Sequence, residues 1–133
     1  MTWLAAKNNP RIKAITVVAG FSDLLAEAQR RPDLEKGALG RLIPDYERNK
    51  EQALKERSVL YWVEQLDKKM PIFLIHGAED SRVSVENARK LAEKLKAREH
   101  PHKLLIYPNT GHDLNPHWFA ARDEIVRWFG ENL

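Results

Sequence analysis

Pro71-Ile72-Phe73-Leu74-Ile75-His76-Gly77-Ala78-Glu79-Asp80 is the stretch from which the architecture of this chain is read. An unbroken apolar run from Ile72 to Ile75 follows a proline, which cannot donate to a sheet ladder, and a glycine stands just beyond it. Short runs of this kind suit a strand covered on both faces, as strands of a parallel sheet are. The aspartate then falls on the loop that leaves the strand.

Working outward, Val85, Ala88, Leu91, Ala92 and Leu95 recur at three- and four-residue spacing, which predicts a helix over residues 84–98 with one apolar stripe opposite its lysines. His102-Lys103-Leu104-Leu105-Ile106-Tyr107 reads as a second strand, and it flows into Pro108-Asn109-Thr110-Gly111-His112. Residues 116–132 read as a last helix, with Phe119, Ile125, Val126, Trp128 and Phe129 as its core stripe and Gly130 as its stop. Towards the amino end, residues 1–7 suit a helix that breaks at Asn8-Asn9-Pro10, and the β-branched run between Ile12 and Ala19 suits another buried strand. Residues 21–69 read as short helical pieces separated at Arg31-Pro32-Asp33, Gly37, Gly40 and Ile43-Pro44-Asp45, with Val59, Leu60, Trp62, Val63 and Leu66 on one face of a short helix. The alternation predicts an α/β fold of three parallel strands joined by right-handed crossovers. In such sheets reactive groups gather beyond the carboxyl ends of the strands. Asp80 and His112 both fall there.

Composition narrows the function classes. At 133 residues and 43% hydrophobic content, residues 1–133 fit one domain with one modest core. The formal charge of +3 comes from lysines and arginines interleaved with acids, as in residues 86–99, which reads as solvated helix surface and not as a nucleic-acid stripe. There are no cysteines, so disulfides, thiolate chemistry and cysteine-ligated zinc are excluded. No apolar run approaches the roughly 20 residues that span a bilayer. The apolar residues 1–6 lack a preceding basic segment, so a signal peptide is not expected and the expected location is cytoplasmic. No glycine-rich phosphate loop is present, and neither a cofactor nor a metal site is expected.

In a Ser-His-acid triad the acid orients the histidine and stabilises its imidazolium, while the histidine takes the serine proton. Asp80 and His112 suit those roles as acid and base. Asp113 is the rival acid, disfavoured because a residue beside the histidine points elsewhere. The nucleophile is the difficulty, because the chain holds only Ser22, Ser58, Ser81 and Ser84, none within G-x-S-x-G. Ser22 follows a strand and Gly20 and precedes Asp80 and His112 in order, but Leu24 stands where the sharp elbow needs a small residue; a turn or helix N-cap is its blander role. His76 is expected to be a satisfied structural histidine. His100 and His102 flank Pro101 and are expected to face solvent, and the aromatics of His117-Trp118-Phe119 to join the core.

Four segments carry a family resemblance: residues 4–14 with Val18-Ala19-Gly20, Phe21-Ser22-Asp23-Leu24, residues 71–83 from Pro71 to Val83, and Tyr107-Pro108-Asn109-Thr110-Gly111-His112. In them the chain resembles the carboxyl-terminal part of the α/β-hydrolase domain of the prolyl oligopeptidase family of serine peptidases. The resemblance implies a partial α/β-hydrolase fold whose three strands correspond to the last three of eight. It makes Asp80 the acid and His112 the general base, and it places the serine elbow just ahead of Met1. The family's nucleophile strand, oxyanion donors and propeller domain have no counterpart in these residues. A strand edge between Ile12 and Ala19 is then left for a partner, either a second copy in a homodimer or a complementary hydrolase fragment. Three functions follow as expectations: a peptidase segment inactive without its serine, a non-catalytic oligomerisation or binding module, and an esterase using Ser22.

Overall fold

Three parallel strands form one sheet in the computed structural model, which describes residues 1–133: β1 (Ile15–Val18), β2 (Ile72–Gly77) and β3 (His102–Tyr107), in the order β1-β2-β3. β2 lies in the middle and is buried at every position, as its apolar run requires. Its register sets Ile72 against His102 and Gly77 against Tyr107, so the two strands end level. β2 runs two residues past the predicted end because His76 and Gly77 still find partners in Ile106 and Tyr107. β1 is shorter than predicted and ends where Ala19 turns to a φ of 47°, a left-handed conformation that takes the chain out of the strand. β1 pairs only with β2 and so forms one edge of the sheet.

Side chains alternate across a strand, and the alternation along β2 divides the core. Ile72 and Leu74 pack with Trp3 and Ala6 of α1 (Thr2–Ala6) and with Leu91 and Leu95 of a long helix between β2 and β3. Phe73 and Ile75 face the other way, towards Leu114 and the last helix.

Between β1 and β2 the chain forms α2 (Leu24–Arg30), α3 (Pro32–Leu34), a π-helical turn (Glu35–Leu39), α4 (Gly40–Leu42) and α5 (Tyr46–Glu56). Ala28, Ile43, Tyr46, Ala53 and Leu54 give these short pieces a small core of their own. The N-cap of α2 is Asp23, whose Oδ1 accepts from Ala26 N at 3.1 Å, and not Ser22. The helix predicted around residues 59–66 is instead two 3₁₀ turns, Val59–Tyr61 and Val63–Gln65, which still bury Val59, Trp62, Val63 and Leu66 in the main core.

Helix α6 (Glu86–Ala97) follows β2 and buries Ala88, Leu91, Ala92 and Leu95 of the predicted stripe, while Val85 is its half-buried N-cap. Helix α7 (Trp118–Asn132) departs from expectation. Its buried residues are Ala121 and Trp128, with Trp128 against Phe73 at 5.3 Å between ring centroids. Phe119 and Val126, assigned to the core from sequence, are 68% and 67% exposed, and Trp118 is also exposed. Residues 121, 125 and 128 follow the helical period onto the sheet, and a position seven residues from Phe119 repeats its outward direction. Gly130 does not stop the helix, which continues to Asn132. No helix is long and apolar enough to cross a membrane.

Candidate active site

Both loops of interest leave the carboxyl ends of neighbouring strands and are stitched together by backbone bonds, Ala78 N to Tyr107 O and Glu79 N to Thr110 O, each 2.9 Å. Gly77 makes this approach possible. A Cβ built there would lie 2.3 Å from Thr110 O and 2.4 Å from Gly111 O, inside contact distance. The second loop is anchored by Thr110, whose Oγ1 donates to Pro108 O at 2.7 Å, and by the fully buried Leu114.

These loops bring Asp80 and His112 together. The Asp80 side chain is wholly buried, and its Oδ2 accepts from His112 Nδ1 at 2.8 Å. Its Oδ1 accepts from the backbone N–H groups of Arg82 and Val83, both at 2.9 Å. A carboxylate only accepts, so His112 carries its proton on Nδ1 and turns the lone pair of Nε2 outward. The His112 side chain is 36% exposed, which leaves that nitrogen within reach of a reacting group. An imidazole held this way can take a proton at Nε2, with the carboxylate stabilising the resulting cation.

A buried polar network braces the acid loop. Glu27, on α2, is 2% exposed and accepts from Ser84 N at 3.1 Å and Asn87 Nδ2 at 2.9 Å through Oε1, and from Arg30 through Oε2. Arg30 and Arg31 donate in turn to the carbonyl of Arg82. Asn87 Oδ1 accepts from Ser22 N and Asp23 N, at 2.8 and 3.0 Å. Sequence reading passed over Glu27, Arg30 and Asn87, because their partners lie on other segments and no local spacing marks them.

The remaining candidates fall elsewhere. Ser22 is 2% exposed and donates its hydroxyl to Asn87 O at 2.7 Å, so it clamps two segments and is not presented to His112. Ser58 is fully buried, donating to Leu54 O and accepting from Leu24 N. Ser81 and Ser84 lie within the acid loop, and no serine hydroxyl bonds to His112. Asp113 accepts from the backbone and side-chain nitrogens of Asn115, which hold its carboxyl below the usual range, while the Nδ1 of His112 bonds to Asp80. His100 does not face solvent: it is 4% exposed and its Nε2 donates to Met70 O at 2.7 Å. Burial pushes its pKa down, against the opposing pull of that carbonyl. His102 is half-buried and donates from Nδ1 to His100 O. His117 stacks on Tyr107 at 4.8 Å. No group of three or more His, Cys, Asp or Glu side chains is arranged to hold a metal.

Parallel strands with an acid and a histidine paired on the loops at their carboxyl ends define the class as part of an α/β-hydrolase domain. Comparison with known proteins gives the family. The prolyl oligopeptidase family matches residues 1–133, and the chain belongs to it. The acylamino-acid-releasing enzyme of Rattus norvegicus is 38% identical over 63 residues, covering 41% of this chain and 9% of that enzyme. A puromycin-hydrolyzing peptidase of Mycobacterium tuberculosis superposes with a TM-score of 0.82 at 24% identity, over 99% of this chain and 20% of its own. Acylaminoacyl peptidase of Pyrococcus horikoshii gives 0.82 at 18% identity, over 99% of this chain and 22% of its own. The chain thus spans about a fifth of these structures and less of the rat enzyme.

Proposed function

We propose that this chain supplies the acid and the general base of a serine peptidase site, cleaving peptide or related acyl bonds once a serine from another segment is set against His112. The observation that carries the reading is the 2.8 Å bond from His112 Nδ1 to the wholly buried Asp80 carboxylate. In the completed site His112 Nε2 takes the hydroxyl proton as the serine oxygen bonds to the substrate carbonyl carbon. The imidazolium, stabilised by Asp80, returns that proton to the leaving nitrogen as the C–N bond breaks, and water then cleaves the acyl-enzyme by the same base. These 133 residues alone hydrolyse peptides little or not at all, because none of their four serines bonds to His112, and Ser22 and Ser58 are committed to Asn87 O and Leu54 O.

The serine-bearing segment joins at β1, whose outer edge has no strand partner. Without that segment, two copies of the 15.4-kDa chain cover each other's edge as a homodimer. A fluorophosphonate probe tests the chemistry. It leaves this chain unlabelled and labels the serine of an added amino-terminal hydrolase segment, and His112→Ala abolishes that labelling; a label on Ser22 overturns the reading. Light scattering tests the edge, and a stable monomer at micromolar concentration counts against it.

A further inference from the structure

His76 is the one buried histidine in contact with the acid, and the mechanism above leaves it unused. It lies on β2, 1% exposed, with Nε2 2.9 Å from Val83 O and 3.2 Å from Asp80 Oδ2. We propose that His76 is a positioning residue for the acid, sharing one Nε2 proton between Val83 O and Asp80 Oδ2 and so holding the carboxylate in the orientation that receives His112. The proposal rests on Asp80 and His112 being the acid and base.

Both neighbours of Nε2 are acceptors. A bare nitrogen there would set its lone pair against two oxygens, so the proton must sit on Nε2. The contacts close a ring. Val83 donates its N–H to Asp80 Oδ1 at 2.9 Å and offers its carbonyl to His76, which reaches Asp80 Oδ2 from the strand. With Arg82 N on Oδ1 and His112 Nδ1 on Oδ2, the carboxylate holds three hydrogen bonds, and the shared His76 proton would bring it to four, about its full accepting capacity. It cannot turn without losing several at once. Because the strand carries one of these donors, the acid is referenced to the sheet as well as to its own loop.

A merely structural His76 would need only the Val83 bond, and this difference can be measured. Imidazole ¹⁵N and carboxyl ¹³C NMR on the whole chain should show His76 as the Nε2–H tautomer. In His76→Leu, which cannot donate, the Asp80 carboxyl ¹³C resonance should move, because a donor beside the carboxylate is lost. His76→Gln, whose amide can donate, should recover most of that shift. Should His76→Leu not fold, Asp80→Asn serves, and its loss of the carboxylate charge should move the His76 Nε2–H resonance. An Nδ1–H tautomer, an unchanged Asp80 carboxyl resonance in folded His76→Leu, or a His76 resonance indifferent to Asp80→Asn overturns the proposal. A missing His112 Nδ1–H signal with the His76 results intact would instead overturn the acid–base reading.

Discussion

Replacing Gly77 by alanine should separate the acid from the base. The new Cβ would lie 2.3 Å from Thr110 O, 2.4 Å from Gly111 O and 2.8 Å from Thr110 C, all backbone atoms that no rotamer change can move aside. Ordinary contact begins near 3.4 Å, so the second loop must retreat by about 1 Å. His112 follows Gly111 directly, and the same displacement applied to its 2.8 Å bond to Asp80 carries it past hydrogen-bond length. Overpacking of this kind costs roughly 1–3 kcal/mol. At a urea dependence of about 1–3 kcal/mol per molar, the midpoint of unfolding falls by roughly 1 M. In a completed enzyme a 1 Å misplacement of the base lowers turnover by roughly 100-fold. Urea unfolding combined with the His112 Nδ1–H proton signal is the assay. Gly130→Ala is the control, since nothing lies within 4 Å of its built Cβ and alanine is the better helix former by about 1 kcal/mol. Gly77→Ala unfolding within about 0.5 kcal/mol of wild type, with an unchanged His112 signal, would refute the argument.

Ser22→Ala removes a buried hydrogen bond and should destabilise the chain by about 1–2 kcal/mol in chemical unfolding; a fluorophosphonate label on the wild-type chain that Ser22→Ala abolishes would instead make Ser22 a nucleophile. Phe119→Ser should change stability by less than about 0.5 kcal/mol, whereas Trp128→Ala should cost about 3–5 kcal/mol, and equal losses in chemical unfolding would contradict the observed face of α7. The pKa of buried His100 is depressed in the folded chain, so the unfolded chain binds a proton that the folded one refuses. Its contribution is complete above the unfolded value of about 6.5 and is lost as pH falls below it towards the folded value. Unfolding midpoints between pH 5 and 7.5 should therefore fall less steeply in His100→Gln than in wild type, and matching slopes would exclude the effect.

Much of this was legible because it is periodic or punctuated. The β2 run, the spacing of Ala88, Leu91, Ala92 and Leu95, and the two strand-to-loop transitions at Gly77 and Tyr107 are local signals, and they suffice to put Asp80 and His112 at one end of the sheet. The errors have local causes too. Helix α7 has apolar residues on more than one side, so composition could not tell Phe119 from Trp128, and only docking against Phe73 chose the face. His100 beside Pro101 looked like loop, yet the carbonyl of Met70, thirty residues away, draws it inside.

The order of elements, the absence of cysteine chemistry and the acid and base candidates were determined by sequence alone, since each rests on residue type and short-range spacing. The tertiary structure decided which contacts are real. It buried Ser22 against Asn87, paired Asp113 with Asn115, and joined His76, Asp80 and His112. Those choices depend on which segments meet across the sheet. A hydrogen bond is decided over a few tenths of an ångström, and no pattern along one strand contains the position of the next.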